Sequence, residues 1–251
     1  MKSRIDLSHW LYNVAIAHRG LFDNEHPENT ISAYEKAIEN GYAIELDVQM
    51  TIDGVLVCYH DNNLKRLTGV DKDIRTLTYE EVSKLNVVNE NFKIPTFSKT
   101  LEFVNGKVPL VIELKSQKQK GFEKKVCEIL RNYKGDFVVQ SFDPLVMRRV
   151  QKIEPSFIRG MLTTLEEVKG YPKIVTKFMN NFGFQYIFKF DFLNIRVCDL
   201  EYHKKRIKKH NVICWTIKTN NDIIPAKKYA KNIIFEKTAT NLDVFDKKYK
   251  K

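Results

Sequence analysis

The sequence predicts an α/β fold, a parallel (β/α)8 barrel, and three observations lead there. Short β-like runs alternate with helix-like segments along most of the chain, the pattern of parallel strands joined by crossover helices. Polar, chemically competent residues gather at the C-terminal ends of these runs, and a barrel brings those ends together on one face. The Gly-rich fingerprint of the main alternative, an open dinucleotide-binding sheet, is absent. Nine runs stand in the 251 residues, one more than a barrel uses.

A chain of this length fits one domain, residues 1–251, and its 43% hydrophobic and 29% charged residues are those of a globular protein. No stretch of about 18 apolar residues is present, so no transmembrane helix is expected. Cys58, Cys127, Cys198 and Cys214 are scattered, without CxxC or zinc-site spacing. They read as reduced, buried or nearly buried residues of a cytoplasmic protein. Ala15-Ile16-Ala17 mimics a signal-peptidase site, but Asp6, His9 and Asn13 interrupt the apolar stretch before it.

The formal net charge of +11 suggests an anionic partner, although the charge is dispersed. Two clusters stand out. Lys204-Lys205-Arg206 with Lys208-Lys209-His210 belongs on an exposed helix, and the tail Lys247–Lys251 reads as a frayed end. Neither interleaves aromatics as a single-strand binder does, so nucleic acid is not expected.

Taken in order, Val14–Ala17 is a short buried strand, and Gly20 permits a tight exit from it. Pro27-Glu28-Asn29-Thr30 opens a helix. Asn29 or Thr30 can cap it, and Ile31, Tyr34, Ala37 and Ile38 repeat at helical spacing. Asn40-Gly41 stops it. Ala43–Val48 is the second strand, and strand–helix–strand requires a parallel pair.

Glu45 and Asp47 share one face of that strand, while Ile44, Leu46 and Val48 share the other. Two buried acids repel unless a divalent cation or neighbouring Arg and Lys side chains neutralise them, and the pattern alone leaves both readings open. The seven residues between Asp47 and Val55 are too few for a crossover helix. Extended, they reach about 23 Å. The chain is expected to descend, turn at Asp53-Gly54 and rise through Val55–Tyr59. That path returns His60 to the end that holds His18 and the carboxylates.

Residues 61–107 form an excursion over the barrel mouth and a return helix, with a capping box at Thr78–Glu81. The strand Val108–Lys115 then carries Glu113 and Lys115 on one face, and Phe137–Phe142 carries Gln140 and Phe142 on one face. Asp143-Pro144 starts a helix. Phe157–Leu162, Gln185–Phe190, Val212–Ile217 and Ile233–Phe235 complete the strands. His9, His26, His203 and His210 are assigned to the surface.

With these motifs in view, the chain resembles the glycerophosphodiester phosphodiesterase family of the Gram-positive bacterial type. The matching stretches are Ala17-His18-Arg19-Gly20, Pro27-Glu28-Asn29-Thr30, Glu45-Leu46-Asp47-Val48, Thr51 with Asp53-Gly54, and His60-Asp61. They continue with Arg66 and Thr68-Gly69, Ile94-Pro95-Thr96, Ile112-Glu113-Leu114-Lys115, Gln140-Ser141-Phe142-Asp143 and Trp215-Thr216. Singly they are weak; in this order over residues 14–217 they are specific.

The resemblance implies a TIM-type barrel of the phospholipase C-like phosphodiesterase kind, with a small insertion within 61–107. It implies hydrolysis of glycerophosphodiesters to sn-glycerol 3-phosphate and an alcohol, with His18 and His60 as the acid/base pair. Glu45, Asp47 and Glu113 match the ligands of one divalent cation, Mg²⁺ or Ca²⁺, and Arg19 and Lys115 match the phosphate contacts.

Histidine suits both proton transfers because its pKa lies near working pH. Phe142 and Trp215 read as an apolar wall for the glycerol carbons or as ordinary core filling. Glu28 and Asn29 are placed behind His18 or Arg19, and Gln140 behind the substrate site. The resemblance implies a small glycerophosphodiester as partner, and no stable membrane insertion is expected. Alternative readings are a barrel phosphodiesterase acting on phospholipid and a non-catalytic anion-binding module. The chain departs from the family pattern at Asn211, where a glycine is usual and asparagine can also adopt the left-handed turn. Further departures are Lys218, after Trp215-Thr216-Ile217, and Glu236, where many relatives carry an aspartate and then a proline.

Overall fold

The protein is described here by a computed structural model, covering residues 4–166, 188–208, 210–236, 242, 245 and 247–249. Nine strands appear among the described residues: β1 (Ile16–Ala17), β2 (Ala43–Met50), β3 (Leu56–Cys58), β4 (Leu110–Leu114), β5 (Phe137–Ser141), β6 (Arg159–Thr163), β7 (Phe192–Arg196), β8 (Val212–Ile217) and β9 (Asn232–Phe235). All but β3 run parallel, and β1 pairs with both β2 and β9, so eight strands close into a barrel without an edge. The surplus run is β3, which lies antiparallel to β2 with Val48 opposite Cys58 and Met50 opposite Leu56.

Alternation sorts the side chains. Ile44, Leu46 and Val48 of β2 join Leu110, Ile112 and Leu114 of β4 in the core between the strands and the helices. The short helices α2 (Lys65–Thr68) and α3 (Tyr79–Lys84) lie in the excursion after β3, and that core includes α1 (Ile31–Glu39), α4 (Phe97–Val104), α5 (Phe122–Arg131), α6 (Pro144–Ile153), α7 (Leu200–Ile207) and α8 (Ile223–Tyr229). A second core fills the barrel's N-terminal end, with Ile16, Ala43, Val111, Val138, Phe192, Ile213 and Ile234. The segment before β1 plugs it: Ile5, Leu11, Tyr12 and Val14 pack there. Asn232 ties the plug down by donating to the carbonyls of Leu11 at 2.8 Å and Val14 at 2.5 Å.

Local chemistry sets the boundaries. Thr30 Oγ1 accepts from Ala33 N at the start of α1, and Gly41, at φ 68°, follows its last turn. Gly20 is required twice over: its φ is 81°, and a Cβ there would come within 2.8 Å of the Ala33 backbone. The expected capping box at Thr78 and Glu81 is present, and Asp143 caps α6 ahead of Pro144. A third core, with Val57, Tyr59, Leu64, Ile74, Val82 and Ile94, holds the excursion together beside the mouth.

Several expectations need correction. β2 does not end at Val48 and descend. It continues up to Met50, turns at residues 51–55, and comes down through β3, because its extra residues find ladder partners there. His60 reaches the mouth from above. In the expected strand Gln185–Phe190, residues 185–187 lie outside the described residues, and Phe188 and Phe190 are buried but not in a strand; β7 starts at Phe192.

His203 is fully buried in α7, on the helix side that also holds Leu200 and Ile207. The tail is not frayed at residues 247–249. Ala15 donates to the Lys247 carbonyl at 3.0 Å, Tyr249 donates its amide to the Gly41 carbonyl at 2.7 Å, and its hydroxyl bonds Asp136 at 3.0 Å. Asn211 does not adopt a left-handed conformation. Of the cysteines, Cys58, Cys127 and Cys214 are buried and Cys198 is exposed, and all four are free thiols.

Candidate active site

The parallel strands end at one mouth, and the barrel register brings the sequence-predicted residues together there. Asp47 of β2 stands opposite Glu113 of β4, and Glu113 stands opposite Gln140 of β5. Glu45, Asp47 and Glu113 are buried, with carboxylate oxygens within 4.8 Å of one another. At an effective dielectric near 20, two unit charges at such a spacing repel by about 3–4 kcal/mol. Three like charges therefore need cations.

Two are supplied by the chain. Lys115 Nζ lies 2.6 Å from Glu113 Oε1 and 2.8 Å from Asp47 Oδ1, and Arg19 Nε lies 3.5 Å from Asp47 Oδ2. Burial would raise the Asp47 carboxyl, but Lys115, His60 and Arg19 hold it well below the usual carboxylate range. The Glu45 carboxyl is instead pushed well above that range, by burial and by the charges of Asp47 and Glu113. Once Glu45 is ionised the cluster carries one more negative charge than Lys115 and Arg19 offset, and its all-oxygen donors suit a hard divalent cation better than zinc.

The loop after β1 supports this cluster with two residues in the left-handed region, Arg19 and Asn29, each at φ 55°. Such a conformation is uncommon outside glycine. It is held by contacts: the Arg19 amide donates to Glu45 Oε2 at 3.0 Å, and the Asn29 amide donates to the Arg19 carbonyl at 2.9 Å. Asn29 Nδ2 then donates to Asp47 Oδ2 at 2.9 Å, and the Tyr34 hydroxyl donates to Asn29 Oδ1 at 3.0 Å. Asn29 thus braces Asp47. Glu28 braces Arg19 at 2.6 Å and also receives Arg66 at 2.7 and 2.9 Å.

Each mouth histidine has a carboxylate at Nδ1. His18 Nδ1 lies 3.1 Å from Glu236 Oε1, with Nε2 4.0 Å from Glu45 Oε2. His60 Nδ1 lies 2.7 Å from Asp61 Oδ1, and Asp61 also receives Arg66 Nε at 2.6 Å. Burial drives the His18 ring down to about 4, with the Glu236 hydrogen bond opposing it. Burial would raise Glu236, but His18 and Lys218 overturn this and hold it ionised below its ordinary value.

Beside His60 opens a cleft of about 540 Å³, lined by Asp61, Arg75, Glu113, Lys115, Ser116 and Phe142 among others. The Phe142 and Trp215 rings meet edge-to-face at 5.3 Å, and the buried Trp215 indole nitrogen has no hydrogen-bond partner among the described residues. Gln140 is buried and accepts from Asn194 Nδ2 at 2.9 Å.

Sequence reasoning named Glu236 only as a departure from the family pattern and missed its pairing with His18, and it missed the site roles of Asn194 and Tyr34. Glu236 comes 218 residues after His18, and only barrel closure reveals the pair. Arg66 was visible as a motif residue, but its bridge between Glu28 and Asp61 was not.

Taken together, the molecule is a TIM-type barrel whose C-terminal mouth gathers a buried acidic cluster, two carboxylate-paired histidines and two cationic side chains. The chain belongs to the glycerophosphoryl diester phosphodiesterase family, whose pattern matches residues 18–235. It is 37% identical over 161 residues to a glycerophosphodiester phosphodiesterase of Caldanaerobacter subterraneus, a match covering 59% of this chain and 66% of that relative. Its fold is similar to that of the Thermotoga maritima glycerophosphodiester phosphodiesterase, with a TM-score of 0.70 and 27% identity over 90% of this chain and 95% of the other. It is also similar to an Oleispira antarctica phosphodiesterase solved with the product sn-glycerol-3-phosphate, with a TM-score of 0.73 and 20% identity over 90% and 94% of the two chains. No helix among the described residues is long and apolar enough to cross a membrane.

Proposed function

We propose that the protein hydrolyses glycerophosphodiesters to sn-glycerol 3-phosphate and an alcohol, with one divalent cation held by Glu45, Asp47 and Glu113. The observation that carries this reading is the meeting of that cluster with His18 and His60 at one barrel mouth. A phosphodiester resists attack because its anionic oxygens repel nucleophiles. When bound, a divalent cation supplies charge neutralisation and orientation of the phosphate. Mg²⁺ and Ca²⁺ both suit the oxygen donors.

Arg19 and Lys115 bind the phosphate oxygens, Arg19 by its forked guanidinium. His18 and His60 divide the proton work: one takes the proton of the attacking hydroxyl and the other gives one to the leaving alkoxide. A Nδ1–H donated to Glu236 or Asp61 leaves Nε2 of each ring for that work. The same pair serves water or the glycerol 2-hydroxyl as nucleophile. Phe142 and Trp215, whose rings meet edge-to-face, face the glycerol carbons.

The test is release of glycerol 3-phosphate from glycerophosphocholine and glycerophosphoethanolamine, with EDTA and then with Mg²⁺ or Ca²⁺ restored. Activity should return with the cation and vanish in His18→Ala and Glu45→Ala. Folded protein that releases nothing from several diesters with either cation would sink the reading.

A further inference from the structure

Two of the chain's departures from its family pattern, Lys218 and Glu236, meet at the barrel's closing seam. The register sets them side by side. Ile217 of β8 pairs with Phe235 of β9, and Ala17 of β1 pairs with the same Phe235. The next residue of each strand is therefore Lys218, Glu236 and His18, in one row across three adjacent chain segments. Backbone bonds pin that row: Glu236 N donates to the Ile217 carbonyl at 2.9 Å, and His18 N donates to the Phe235 carbonyl at 2.9 Å.

Within the row, the Glu236 side chain is mostly buried and one of its oxygens, Oε1, serves both neighbours. It lies 3.1 Å from His18 Nδ1 and 3.2 Å from Lys218 Nζ. An ionised carboxylate only accepts hydrogen bonds, so the His18 nitrogen facing it must carry the proton. The other ring nitrogen, Nε2, is then directed to the acidic cluster, 4.0 Å from Glu45 Oε2. A fourth carboxylate beside Glu45, Asp47 and Glu113 would itself be repelled. Lys218, whose side chain is 60% exposed, offsets that charge from the solvent side.

We propose that Glu236 is the positioning residue that fixes the orientation and tautomer of His18, and that Lys218 holds Glu236 in that role. The pair acts through His18 and does not touch substrate. The inference rests on the proposed hydrolase reading for its kinetic consequence, but its structural content can be read without turnover.

The experiment therefore has two arms. In the first, ¹⁵N-histidine-labelled protein without substrate is compared by NMR for wild type, Glu236→Ala, Glu236→Gln and Lys218→Met, with the His18 signal assigned by its loss in His18→Ala. The wild type and Glu236→Gln should show the Nδ1–H tautomer, since a Gln carbonyl oxygen can still accept. Glu236→Ala should lose that signature, while the His60 signal, held by Asp61, stays put. An unchanged His18 signal in Glu236→Ala overturns the proposal.

In the second arm, kcat and KM are measured on glycerophosphocholine. Removing a residue that orients an active group costs on the order of 10–100-fold in activity. Glu236→Ala should show that loss in kcat with KM little changed, and Glu236→Gln should recover much of it. Lys218→Met should lower kcat less, and should have no further effect in a Glu236→Ala background. A wild-type kcat in Glu236→Ala would refute the proposal. A wild type inactive on every diester would instead refute the hydrolase reading, leaving the NMR arm to decide the positioning role.

Discussion

Lys115 Nζ lies 2.8 Å from Asp47 Oδ1, so the ammonium of one barrel strand's end is a counter-ion for the carboxylate of the next. Burial would lower Lys115, but Asp47 and Glu113 hold it well above its usual range, so it is charged throughout the working pH range.

The first prediction concerns Lys115→Met. It leaves Glu113 to a divalent cation, and Asp47 to that cation and Arg19. Saturating a site at a hundredfold Kd stabilises a fold by about 2.7 kcal/mol, or roughly 5–10 °C in Tm for a domain of this size. Thermal melts with EDTA and with Mg²⁺ should show a rise of that order in the wild type. The variant should melt lower in EDTA and gain more from Mg²⁺, while losing most of its activity. No cation effect on either melt would count against the cluster as a metal site.

A second prediction follows from Glu28, which sits between two guanidinium groups. Arg19 and Arg66 both bond it, at 2.6 Å and at 2.7 Å. Glu28→Ala places the two cations against each other and frees Arg19. Losing one partner of a buried charged pair costs about 3–5 kcal/mol. Part of that penalty should appear as a raised KM with a smaller change in kcat, because Arg19 is assigned to phosphate binding. Glu28→Gln keeps the hydrogen-bond acceptor and should fall between the two. Steady-state kinetics of the three proteins check the order.

How far the site was legible depends on sequence distance. Glu45 with Asp47, and Glu113 with Lys115, reveal themselves through the period-two alternation of one strand. His18 and His60 reveal themselves by ending short apolar runs. Glu236 gives no such sign: it follows a short strand, and only the pairing of β9 with β1 makes it a neighbour of His18. The direction of the chain after Asp47 was misjudged because a turn above the mouth and a turn below it both return His60 to the same place. His203 was misplaced because the lysines around it mask a helix side shared with Leu200 and Ile207.

The third prediction tests the packing beneath the site. Phe192 of β7 stands opposite Gly160 of β6, and its ring occupies the space where a Gly160 side chain would lie. A Cβ at Gly160 would come within 2.1 Å of that ring. Neither the ring nor the two strands can yield without moving the interior core. Overpacking of this kind costs about 1–3 kcal/mol. Gly160→Ala should therefore lower the denaturation midpoint. Adding Phe192→Leu should return part of the loss, since the smaller side chain vacates the contact. A Gly160→Ala protein as stable as the wild type would mean that Phe192 has another place to go.

The fourth prediction is a pH dependence from His203, away from the mouth. The ring is fully buried in α7, and burial drives it down to about 4, against the opposing effect of Asp199. An unfolded histidine titrates near 6.5. Between those values the unfolded chain binds the proton that the folded one refuses, so stability rises with pH and is lost as pH falls from about 6.5 towards 4. The slope from one such group is at most about 1.4 kcal/mol per pH unit. Urea midpoints at pH 7, 6 and 5 should decline in the wild type. The decline should be shallower in His203→Gln, which cannot be protonated, even if that variant is less stable at pH 7. Parallel curves for the two proteins would show that His203 is not the group that titrates.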